Sequence, residues 1–115
     1  MKTREIIFIK RGISLVTHFL LPPQIVQDMF LACKRRLTQE NGVLTVGMHT
    51  SEGAIPVDKL FNVTEFELTE DNTLKCIAQM SDELFDELKD AIFTLIIVPN
   101  ENKTSIELKN IGWIK

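Results

Sequence analysis

The residues of this chain with chemistry beyond packing are few: two histidines, two cysteines, two acidic clusters and a run of cations near one end. His18 lies between Thr17 and Phe19 in an alternating stretch, and reads as a half-buried structural imidazole. His49 stands beside Thr50, Ser51 and Glu52, types from which an acid–base site is built. The same Ser51 and Glu52, followed by Gly53, are equally the residues of a surface turn, and a turn is the reading adopted. Cys33 and Cys76 are 43 positions apart, with no CxxC spacing and no neighbouring histidine. They are expected to be buried, apolar and unpaired rather than metal ligands or a disulfide. The five glycines form neither GxGxxG nor GxxxxGK, which argues against the common nucleotide-binding loops.

Two groups of carboxylates remain. Glu65 and Glu67 share one strand face, expected to be solvated. Asp82, Glu83, Asp86, Glu87 and Asp90 line the polar side of a short helix, with Asp86 and Asp90 a like-charged i,i+4 pair. This second set lacks the mid-loop glycine and bidentate glutamate of a calcium loop. It is either a solvated face or a surface for a basic partner.

The formal net charge of −3 over 115 residues hides a polarity. Residues 1–36 hold seven cations (Lys2, Arg4, Lys10, Arg11, Lys34, Arg35, Arg36) against Glu5 and Asp28, a net +5, so the remainder carries −8. If the Lys10-Arg11 turn and Lys34-Arg35-Arg36 share an edge, they form a basic pole for an anion or a nucleic acid. The competing reading is that the three cations complement a helix C-terminus. Stacking platforms are scarce: there is no Tyr, one Trp, and most of the seven Phe fall on buried phases.

The elements that must position these residues follow from periodicity. Ile6–Ile9 is apolar on both faces and reads as a buried strand, followed by a Lys10-Arg11-Gly12 loop and an alternating strand over Ile13–Leu20. Pro22-Pro23 opens a helix whose inner stripe is Val26, Met29, Phe30, Cys33 and Leu37 and which Asn41-Gly42 closes. Further strands are expected at Val43–Met48, at Phe61–Thr69 with a bulge near Thr64, at Thr73–Met80, at Phe93–Val98 and at Ser105–Ile114. Ser81 caps a second helix with Leu84, Phe85, Leu88 and Ala91 inward, and Met80 and Phe85 at the staple positions.

The pattern predicts a single α+β domain over residues 1–115. Its sheet is mostly antiparallel, built from hairpins, with two helices packed on one face. Apolar runs are too short for a signal-peptide core or a membrane span, so the expectation is a cytoplasmic protein. No cofactor or metal is expected and no catalytic constellation stands out. Strands apolar on both faces exceed what a two-layer fold needs. The leading expectation is therefore a non-enzymatic protein–protein interaction module, a small adaptor, inhibitor or assembly factor with a protein partner or itself (a homodimer) as target. The alternative is a nucleic-acid-binding accessory protein using the basic pole of residues 1–36.

Overall fold

The computed structural model describes residues 1–47, 60–102 and 104–114. Its order is β1 (Lys2–Lys10), β2 (Ile13–Ser14), α1 (Pro23–Gln39), β3 (Leu44–Gly47), β4 (Leu60–Leu68), β5 (Leu74–Met80), α2 (Asp82–Glu87), β6 (Ile92–Pro99) and β7 (Ile106–Ile114). The fold is α+β, with mostly antiparallel strands and two helices. Where the sequence reading had one sheet, the structure has two: a five-stranded sheet in the order β2-β1-β5-β4-β3, and the separate hairpin β6-β7. All the pairings are antiparallel. Residues 48–59, which include His49 and the Thr50–Gly53 turn, lie outside the described residues.

One side of the large sheet is dry. Ile6 and Phe8 of β1, Leu44 and Val46 of β3, Phe61, Val63 and Phe66 of β4, and Leu74, Cys76, Ala78 and Met80 of β5 are all buried. The intervening residues Glu5, Lys75 and Glu67 meet on the opposite side, where Lys75 Nζ lies 3.2 Å from Glu5 and 3.8 Å from Glu67. Period-two alternation alone produces this split. It is interrupted twice by bulges. On β4 the register shifts at Thr64, the position the phase change indicated. On β1 it shifts at Phe8, so that Phe8 and Ile9, adjacent in sequence, both enter the core.

Helix α1 buries Val26, Ala32, Cys33 and Leu37, with Met29 and Phe30 half-buried beside them. It ends as a Schellman motif. Asn41 (φ 58°) and Gly42 (φ 89°) are left-handed, and their amides donate to Thr38 and Leu37. Helix α2 is shorter than its apolar stripe implied. Ser81 Oγ accepts the Leu84 amide as the N-cap, but the helix stops at Glu87 with Leu88 as its C-cap. Asp86 is thus in the helix, whereas Asp90 falls in the turn that follows it.

Three arginines join these layers. Arg4 of β1 donates to the carbonyls of Leu88 and Lys89 at the end of α2, where unpaired carbonyls and the helix dipole favour a cation. Its guanidinium also lies 5.1 Å from the centre of the Phe93 ring. Partial burial lowers the Arg4 pKa, an effect opposed by the nearby charge of Asp90. At the other seam, β7 has a sheet partner on one side only among the described residues. Arg36 Nη1 donates to the carbonyls of Leu108 (3.0 Å) and Lys109 (3.2 Å), and Arg35 Nη2 donates to that of Ile106 (2.8 Å). Arg36 Nε is held in turn by Glu40 at 3.1 Å. Phe61, Phe93 and Trp113 close the contact between β4 and the hairpin, with ring centres 5.7–6.3 Å apart.

Both cysteines are buried and unpaired. Burial pushes the Cys33 thiol up to about 12, and raises that of Cys76 as well. Two outcomes follow. Arg36→Ala, which strands two carbonyls, should lower stability by about 2 kcal/mol in urea unfolding, in the range for hydrogen bonds to charged groups. The thiols of the folded protein should resist a thiolate-selective disulfide reagent at about pH 8, both reacting once denaturant is added.

Candidate interaction surface

Apart from Met1, the most exposed large apolar residues among the described residues are Phe19 and Leu20, at 72% and 73%. They do not sit on the strand that alternation predicted. Strand β2 ends at Ser14, because local hydrogen bonds outcompete the ladder: Ser14 Oγ accepts the Thr17 amide and the Ser14 carbonyl accepts that of His18. His18 turns the chain at φ 64° and is exposed, a correction to the half-buried strand histidine expected there. The chain then returns antiparallel, Leu20 bridging Ile13.

This excursion is tied down at both ends. The Ser14 amide donates to the Phe19 carbonyl at 3.1 Å, and the Leu15 amide donates to that of Phe8 at 3.2 Å. The Leu21 amide donates to the Gly12 carbonyl at 2.8 Å, while the Gly12 amide donates to Asn72 in the β4–β5 turn at 2.9 Å. Arg11 (φ 53°) and Gly12 (φ 81°) make the two-residue hairpin turn, whose primed geometry needs positive φ at both positions. A side chain at Gly12 would meet Leu20 Cδ1 at 3.2 Å and the Leu21 carbonyl at 3.5 Å, so glycine is needed there on two counts. Beside Leu20 runs a groove of about 300 Å³ lined by Arg11, Gly12, Leu21, Pro22, Pro23 and Asn72. The anchor is thus an aromatic and a leucine on a braced loop.

A second apolar area lies on the outer side of the β6–β7 hairpin. Ile92, Ile96 and Ile114 are 43%, 41% and 58% exposed, and Gly112 lies between them across the register. Within the Phe93–Val98 run only Ile96 is exposed. Phe93 and Leu95 are buried, Ile97 and Val98 half-buried, and Ile92 and Ile96 face out.

The predicted cations are not brought together. Lys10 and Arg11 sit at the β1–β2 turn, which meets the chain just before α1. Lys34, Arg35 and Arg36 are eleven or more residues along that helix, about 16–20 Å away at 1.5 Å per residue. Arg35 and Arg36 are engaged by β7, and Lys34 Nζ lies 6.0 Å from the Phe30 ring centre. Arg11 faces Asp71 at 3.8 Å in an exposed pair. The Asp71 carboxyl is held below the usual range first by the hydroxyl of Thr69, then by Thr73, with Arg11 adding a smaller effect. Among the acidic candidates, Asp82, Glu83, Asp86 and Asp90 are exposed and Glu87 half-exposed, and Asp82 lies 4.0 Å from the amino group of Met1. Among the described residues no three His, Cys, Asp or Glu side chains cluster as metal ligands, and no helix is long and apolar enough to cross a membrane.

No family model matches the chain, and no curated protein or solved structure is significantly similar to it.

Sequence reasoning missed Phe19 and Leu20 because alternation assigned them to a ladder. The overlooked signal was the Ser14–His18 segment, whose Ser and Thr favour local turns over strand pairing. Side chains this exposed contribute little to folding, so Phe19→Ser and Leu20→Ser should each leave unfolding free energy within about 0.5 kcal/mol of the parent, as measured by denaturant titration.

Proposed function

We propose that this chain is a non-enzymatic protein-interaction module, a small adaptor, inhibitor or assembly factor, that inserts Phe19 and Leu20 into an apolar pocket of a protein partner. One observation carries the reading: two large apolar side chains are about three-quarters exposed on a loop that backbone hydrogen bonds hold in one conformation. Interfaces draw most of their energy from a few such anchors, and a braced anchor loses little entropy on docking. In this reading both helices cover the same side of the large sheet, leaving the β1–β2 end free for the partner. A cytoplasmic setting accords with two unpaired cysteines. The nucleic-acid alternative has weaker support, since Arg36 is held by the Leu108 and Lys109 carbonyls and Glu40, and Lys10 and Arg11 lie at the opposite end of α1 from Lys34 and Arg35.

The test is the double variant Phe19→Asp/Leu20→Asp, compared with the parent by light scattering and by cross-linking in an extract of the native host. The parent is expected to give a dimer mass or a defined cross-linked complex that the variant loses while keeping its circular dichroism and Tm. A parent that is monomeric and gives the same cross-links as the variant overturns the proposal. Oligonucleotide binding lost on Lys10→Glu and Lys34→Glu, at cations outside the β7 seam, would replace it with the nucleic-acid reading.

A further inference from the structure

Between the outward face of α1 and the β6–β7 turn lies a groove of about 530 Å³ whose lining includes Asp28, Leu31, Arg35, Thr104, Ser105 and Ile106. That volume is in the range of small-ligand sites. Its polar groups are arranged in a particular order. Asp28 and Arg35 are seven residues apart on α1, so they share a helix face two turns apart, about 10.5 Å along the axis at 1.5 Å per residue. Leu31 stands between them, and Ile106 forms apolar wall opposite.

Each polar group retains unused capacity. Arg35 gives one N–H to the Ile106 carbonyl, leaving four of its five donors. Asp28 Oδ1 accepts from Gln24 Nε2 at 3.0 Å, while Oδ2 takes no hydrogen bond among the described residues. In the turn, the Thr104 and Ser105 amides donate to Asn100 Oδ1 at 2.9 and 3.4 Å, which fixes the orientation of that amide. Asn100 Nδ2 then donates to both hydroxyl oxygens, at 3.2 Å (Thr104) and 2.9 Å (Ser105). The hydroxyl protons are therefore free to be donated to an acceptor.

We propose that this groove binds a short apolar peptide with free termini. Its carboxylate lies on Arg35, its ammonium on Asp28, its side chain on Leu31 and Ile106, and its carbonyls accept from Thr104 and Ser105. Length selects the peptide: three extended residues span about 10 Å, close to the axial separation of positions 28 and 35 on α1, whereas a single amino acid is about a third of that length. The inference does not rest on the Phe19–Leu20 anchor, which lies on another part of the surface.

The test is a titration of the ¹⁵N-labelled full chain with Ala-Leu-Ala, followed by amide chemical shifts. Parallel titrations use its N-acetyl form and its C-terminal amide. The free tripeptide is expected to shift the amides of Leu31, Thr104, Ser105 and Ile106 saturably, and blocking either terminus to weaken binding about three- to fivefold, the effect of one solvent-exposed charge pair. Asp28→Asn, with a parental Tm, should erase the preference for the free over the acetylated peptide, and the Phe19→Asp/Leu20→Asp variant should bind like the parent. No saturable shift at about 10 mM tripeptide overturns the proposal, as does either blocked peptide binding as tightly as the free one.

Discussion

Among the described residues strand β7 has one sheet neighbour, β6, and two adjacent arginines of α1 supply donors to carbonyls along it. Without Arg35 and Arg36 the carbonyls of Ile106, Leu108 and Lys109 would have to be satisfied by water at a seam against α1. With them, the hairpin is fastened to the helix at one edge while Phe61, Phe93 and Trp113 fasten it to the large sheet. Arg4 does the equivalent for the end of α2. Guanidinium groups suit this work because several fixed donors reach several carbonyls, and because the group stays charged even when partly buried.

That use of arginine reshapes the functional reading. A basic cluster visible in the sequence invites an anion partner, yet here Arg36 is taken up by backbone carbonyls and Glu40, and Arg35 gives one of its donors to the Ile106 carbonyl. What is left unsatisfied on the surface is apolar instead. Phe19 and Leu20 project from a loop whose hydrogen bonds run to β1, to the β1–β2 turn and to its own start. Such residues are normally withdrawn into a core of this size, and here they stand outside the core cluster that includes Phe8, Ile9 and Leu74.

Much of the architecture was legible beforehand. The inner stripe of α1, its Asn41-Gly42 ending, the Ser81 cap, the alternation of β5 and the bulge at Thr64 all come from local rules whose causes are within a few residues of one another. The failures share a different origin. The Ile13–Leu20 stretch alternates as a strand should, but Ser14 and Thr17 offered the backbone closer partners. His18 consequently moved from a ladder to an exposed turn. Helix α2 ended early, where Arg4, more than eighty positions away in sequence, takes the carbonyls of Leu88 and Lys89.

By itself, then, the sequence determined which segments are strands and helices, which faces are apolar, and where most turns fall, because period, caps and turn residues act through neighbours along the chain. Only the tertiary structure decided that β6 and β7 form their own sheet, that Arg35 and Arg36 serve that sheet's edge, and that Phe19 and Leu20 stay outside. Those outcomes depend on which carbonyls are left without a donor and on which volume is already filled. Both are properties of elements brought together from distant parts of the chain, and no local pattern records them.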